Sequence, residues 1–214
     1  MKKKIIVVIG LLFLAGMVVT TFVAQRRYQA GLPLVEMGIP HPGSVTVRRE
    51  GEGIVEVLEN GICQATLSFS SEDWVGVMPF CRGDAATVSA ADSIAHGEVT
   101  GFLPGKNGEI SLLIQIDATG MKTGDRVVIS MEKQTPEVPT VLPLSALQYD
   151  GSFFVWLVEG IPGPWGREYA VKKEYVDIWY YGEKQVALSS QIRLPVVLSA
   201  EQVLIDGQMV RFSL

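Results

Sequence analysis

The sequence predicts a mainly β protein: an N-terminal transmembrane helix, a small antiparallel β-barrel domain, then a membrane-proximal β domain. Three observations predict it. An uncharged run from Ile5 to Ala24 lies between Lys2-Lys3-Lys4 and Arg26-Arg27. Beyond Gly31, apolar residues recur at every second position in several short segments. Between those segments stand pairs such as Asn60-Gly61, Gly83-Asp84, Asn107-Gly108, Gly124-Asp125, Asp150-Gly151 and Asp206-Gly207, the residue types that supply the positive φ of tight turns.

The N-terminal run comes first because it decides the compartment. Twenty helical residues at about 1.5 Å each span roughly 30 Å, the thickness of a bilayer's hydrocarbon core. A cleaved signal peptide and a retained signal anchor both begin this way. The run is long for a signal peptide, and a cut after Ala24 would place Phe22 where cleavage wants a small residue. Three lysines and the amino terminus against two arginines put the N-terminus in the cytoplasm and the body outside it. The expectation is a single-pass protein of the cell membrane, with residues 1–27 as anchor and the Pro- and Gly-containing residues 28–44 as a linker.

The alternation that follows is clearest in Glu109–Asp117, where Ile110, Leu112, Ile114 and Ile116 share a face. Gln64–Ser70 and Arg126–Met131 show the same period. These strands and their turns predict a barrel over residues 45–133. A short helix is expected at Ser70–Met78, capped by Ser70 or Ser71 and started by Glu72 and Asp73. The prolines in Lys133–Pro143 mark a boundary, since proline cannot pair along both strand edges. Ser145–Tyr149, Phe153–Val158, Glu168–Lys172 and Val203–Phe212 then read as the strands of a second domain, residues 134–214.

Composition excludes several functions. Of 18 basic residues, five lie at positions 2–4, 26 and 27; the rest of the chain sets 13 against 23 acidic residues, a net charge of −10. A groove for nucleic acid needs a basic surplus, so that partner is excluded. His41 and His96 are the two histidines, and neither has a carboxylate or cysteine at metal-ligand spacing. Without a base for a serine nucleophile and without a phosphate-binding glycine loop, no catalytic residue, cofactor or metal is expected, and a hydrolase is the weakest reading. Cys63 and Cys81 can close a disulfide outside the cytoplasm; two isolated buried thiols are the alternative. Aromatics gather late in the chain, at Trp156, Trp165, Tyr169, Tyr175, Trp179, Tyr180 and Tyr181, as an interface belt, a protein contact or ordinary core. Pro162, Pro164 and Trp165 mark a candidate contact loop.

Several of these strings resemble the periplasmic adaptor, or membrane fusion, proteins of efflux pumps and hemolysin-type secretion. Leu142-Pro143-Leu144-Ser145-Ala146-Leu147, with Asp150-Gly151-Ser152 and the apolar Phe153–Val158, is similar to the start of that family's membrane-proximal domain. Leu204–Val210 is similar to its closing hairpin. Ala65–Phe69, Arg82-Gly83-Asp84 and Gly120–Met131 are similar to segments of its barrel. No room exists between Arg49 and Cys63 for the family's lipoyl domain or its α-helical hairpin, so the resemblance is to a shortened form. It implies a non-catalytic accessory subunit that docks on an ABC-type or proton-driven transporter, self-associates and is tied to the bilayer by its N-terminal helix. The alternative is a membrane-tethered assembly or interaction protein of the envelope or secretion machinery.

Overall fold

The fold is that of a computed structural model, which describes residues 2–70, 79–90, 93–105, 109–117, 120–164 and 166–212, with side chains from residue 13 onward. Of the short helix expected at 70–78, residues 71–78 fall outside the described residues. The chain is mainly β and divides into two compact units, one formed by residues 1–39, 155–174 and 194–214, the other by residues 40–154 and 175–193.

The second unit holds a closed six-stranded antiparallel barrel. Its strands are β3 (Thr46–Val57), β4 (Cys63–Phe69), β5 (Ala85–Ala90), β6 (Ser93–Pro104), β7 (Ile110–Ile116) and β8 (Arg126–Gln134), in the order β3-β4-β7-β6-β5-β8 and back to β3. The alternating residues are the reason it closes on an apolar interior. Ala65, Leu67, Leu112, Ile114, Val127, Ile129 and Met131 are all buried in one cluster, while Gln115 and Val128 face out. Gly51, Gly53 and Gly97 take interior positions where neighbours come close: a Cβ on Gly53 would meet Ile129 Cδ1 at 2.5 Å, and one on Gly97 the carbonyl oxygen of Gln115 at 2.6 Å. Between β3 and β4 the chain reverses over 58–62, with Gly61 at φ 80° and Asn60 Oδ1 accepting the Ile62 N–H at 3.1 Å.

The same unit carries a four-stranded sheet of order β13-β14-β9-β2, from β2 (His41–Gly43), β9 (Val138–Pro143), β13 (Ile178–Tyr181) and β14 (Gln185–Leu188). Two expectations are corrected here. The stretch read as an unpaired boundary contains β9, which is paired on both sides, to β14 and to β2. Pro139 is tolerated because the β2 register shifts between His41 and Gly43, and Pro143 because it ends the strand. Ser145–Leu147 is not strand: Leu144–Ala146 form a 3₁₀ turn that buries Ala146, and only β10 (Gln148–Tyr149) follows.

The other unit is assembled from both chain ends. α1 (Lys2–Ala30) leads into β1 (Leu34–Gly38), which pairs in parallel with β16 (Met209–Phe212) and antiparallel with β15 (Val196–Ala200). β11 (Phe153–Gly163) and β12 (Gly166–Tyr175) complete the order β11-β12-β16-β1-β15, and a β11–β15 pairing at Leu157 and Val196 links the ends of that run. Residues 28–44, expected as a linker, thus include two paired strands, and a second domain confined to 134–214 is replaced by one that needs the N-terminal residues. The linker reading failed because Leu34–Gly38 is too short to show a period. Val203–Gln208, expected as strand, is a loop and turn. Gly207 donates to the Val171 carbonyl at 2.8 Å, and Asp206 Oδ1 accepts the Lys173 N–H at 2.8 Å.

α1 runs through the whole uncharged segment and closes with Gly31 donating to the Arg27 carbonyl at 3.3 Å. Among the described residues no helix is long and apolar enough to cross a membrane, and side chains 5–12 of the expected span lie outside them. The transmembrane expectation is carried by the sequence and not by the structure.

Candidate functional site

The candidate contact loop is the tip of the β11–β12 hairpin. β11 ends at Gly163 and β12 begins at Gly166, which takes φ 111°, and Pro162 and Pro164 are exposed. Trp165 falls outside the described residues. Two glycines let the strands carry large polar side chains at close quarters: Arg167 lies against Gly160 and Glu168 against Gly163, so a Cβ on either glycine would collide with them.

Beside this hairpin, where α1 meets the sheet, is a cavity of about 340 Å³ lined by Tyr28, Gln29, Leu32, Arg167, Glu168, Tyr169, Val210, Arg211 and Phe212. Elements distant in sequence build it: the last turn of α1, the start of β12, and β16. The Tyr28 hydroxyl donates to Glu168 Oε2 across 3.5 Å, and Glu168 Oε1 is buried without a partner. Arg211 Nε donates to the Leu32 carbonyl at 2.9 Å, which holds the chain just past α1 against β16. The Tyr169 and Phe212 rings meet edge to face at 4.6 Å. Sequence reading singled out Tyr169 in its aromatic list and missed the rest. The polar residues here carry no spacing signal, because strand pairing and the packing of α1 bring them together from distant parts of the sequence.

A second polar cluster lies on the barrel. Lys133 Nζ donates to Asp84 Oδ1 at 2.9 Å and Oδ2 at 2.7 Å, and the Cys81 N–H donates to Oδ2 at 2.6 Å. Hydrogen bonding to Asp84 holds the Lys133 ammonium above its ordinary value; burial opposes this, while the charge of Asp84 and the nearby Cys81 thiol add to it. Cys63 and Cys81 are not joined by a disulfide. Cys63 opens β4 with its side chain in the barrel core, whereas Cys81 is exposed in the loop before β5 and donates from Sγ to the Pro79 carbonyl at 3.8 Å.

The histidines stand apart: His41 is exposed in β2, and His96 is exposed in β6 opposite Thr87. Among the described residues no three His, Cys, Asp or Glu side chains cluster as metal ligands. The aromatic list divides by role. Trp156 is buried in β11, Tyr180 packs on the barrel core, and Trp179, Tyr181 and Tyr175 are exposed. The arrangement offers surfaces: a proline-bearing hairpin tip, a cavity with charges of both signs, and an edge strand with exposed rings.

No protein-family model matches the chain, and no curated protein matches it. Among solved structures it is similar to the crystal structure of ZneB from Cupriavidus metallidurans, at 17% identity and a TM-score of 0.45. The match covers 68% of this chain and 42% of that one, so this chain spans less than half of that protein's length.

Proposed function

We propose that this chain is a non-catalytic, membrane-anchored adaptor subunit of a transport or efflux complex. α1 holds it in the cell membrane with its N-terminus in the cytoplasm. The body docks, outside the cytoplasm, on an ABC-type or proton-driven transporter and works by binding and positioning. Self-association belongs to the same reading.

The observation that carries this reading is the order of parts along the chain: a helix, a strand of the terminal unit, a strand of the four-stranded sheet, a closed barrel, then strands of the four-stranded sheet and of the terminal unit in alternation. Three of the segments that resemble the adaptor family lie in the barrel or the terminal unit, whereas Leu142–Leu147 lies at the end of β9 and in the 3₁₀ turn after it. Ala65–Phe69 lies in β4, Arg126–Met131 in β8, and Leu204–Val210 forms the turn pinned to β12 and the start of β16. The described residues between β1 and β4 hold no helix, so reaching a second membrane through a coiled-coil hairpin is not part of the proposal.

Gentle purification of the tagged full chain from native membranes tests it. The expected result is co-recovery of a transporter permease or ATPase. Recovery of envelope-assembly factors instead, with no transporter subunit in any detergent, would overturn it.

A further inference from the structure

We infer that the cavity at the end of α1 seats the headgroup of a zwitterionic phospholipid bearing a primary ammonium, that is, a phosphoethanolamine headgroup. The inference rests on the anchored reading above. Position is the first argument. The uncharged run ends at Ala24, and Tyr28 lies four residues on, about 6 Å along a helix axis. The headgroup layer extends about 5 to 8 Å beyond the hydrocarbon on each side. Tyr28, Gln29 and Leu32 therefore bring the cavity to headgroup depth. Arg26 stacks over Phe22 with 4.8 Å to the ring centroid, as a cation at the edge of the apolar layer does.

The second argument is charge. Arg167 and Arg211 are both among the residues that line the cavity, Arg167 with its guanidinium against Gly160 and Arg211 with Nε on the Leu32 carbonyl, and a guanidinium's planar fork matches phosphate oxygens. Glu168 stands opposite Arg211 in the register of β12 and β16 yet pairs with neither arginine among the described residues; it has one long hydrogen bond from Tyr28 and a buried oxygen with no partner. A carboxylate so poorly satisfied gains most from an N–H donor carrying positive charge. Tyr28, Tyr169 and Phe212 add aromatic walls, and the C-terminal end of α1 adds a negative dipole end, both favouring a cation. A wholly anionic headgroup would suit the arginines and leave Glu168 unpaired. A choline headgroup has no N–H to give it. Since the body carries a net charge of −10, general attraction to an anionic surface is not the source.

The test uses the full chain in phosphatidylcholine nanodiscs doped with either phosphatidylethanolamine or phosphatidylglycerol, with retained lipid counted by native mass spectrometry. The wild type retains phosphatidylethanolamine over the other two by roughly tenfold. Glu168→Gln erases that preference, Glu168→Asp keeps most of it, and Arg167→Gln lowers retention of every phospholipid. Inorganic phosphate does not displace the lipid. Equal retention of the three lipids, an unchanged preference in Glu168→Gln, or displacement by phosphate alone would overturn the inference. Alkaline carbonate extraction separates the two levels: release of the wild type from membranes overturns the anchored reading itself, whereas firm attachment without lipid preference overturns the headgroup site alone.

Discussion

Asp84 ties the loop before β5 to β8 through one carboxylate, accepting from the Cys81 backbone and from Lys133, with side chains 21% and 28% exposed for Asp84 and Lys133. Such a pair is shielded enough to matter and wet enough that its value is modest. Asp84→Asn should destabilise the barrel by about 1 to 3 kcal/mol in urea unfolding. The sign of the pH effect follows from the raised Lys133 value. A lysine whose folded value exceeds its unfolded one stabilises fully below the unfolded value of about 10.4 and loses that contribution as pH rises through the folded value. The wild type should therefore weaken in the alkaline range more than Asp84→Asn does; equal alkaline losses in both proteins would contradict the role of this pair. None of this was legible beforehand. Gly83-Asp84 reads locally as a turn, and nothing in sequence joins it to a lysine 49 residues later.

At the scale of elements, legibility followed the size of the inward residues. β4, β7 and β8 showed their period because their interior positions carry large apolar side chains such as Leu67, Leu112, Ile114 and Ile129. β3, β5 and β6 were silent because Gly51, Gly53, Ala86, Ala95 and Gly97 interrupt their inward valines, small residues that let a narrow barrel close. Gly97 is the sharpest case, since its neighbour is backbone and cannot rotate away. Gly97→Ala should cost about 1 to 3 kcal/mol, whereas Gly61→Ala, facing open space, acts only through its positive φ. Comparable unfolding midpoints for wild type and Gly97→Ala would show that β6 and β7 are looser than described. In the hairpin, Gly163→Ala should expel Glu168 from its place against β11. The readout is the amide signal of Glu168 and Tyr169 in a nitrogen-15 correlation spectrum, with the barrel signals unmoved.

The whole molecule is where sequence reached furthest in kind and least in detail. Mainly β content and a barrel followed from alternation and turn residues; the interleaving of chain ends did not. β1 is five residues long, and its partners lie at the far end of the chain. The same pairing means that trimming the N-terminus is not a neutral way to make a soluble body. Deletion through Gly38 should destabilise the unit containing β15 and β16, while deletion through Gln25 should leave it folded, as judged by limited proteolysis. The central claim is that this chain acts by docking on a transporter. The direct measurement is photocrosslinking in native membranes from a photoreactive residue at position 164, on the exposed hairpin tip. The predicted result is an adduct with a transporter subunit that disappears when the probe is moved to the buried barrel position 114. Adducts at position 164 with copies of this chain alone, or with none, would contradict the account.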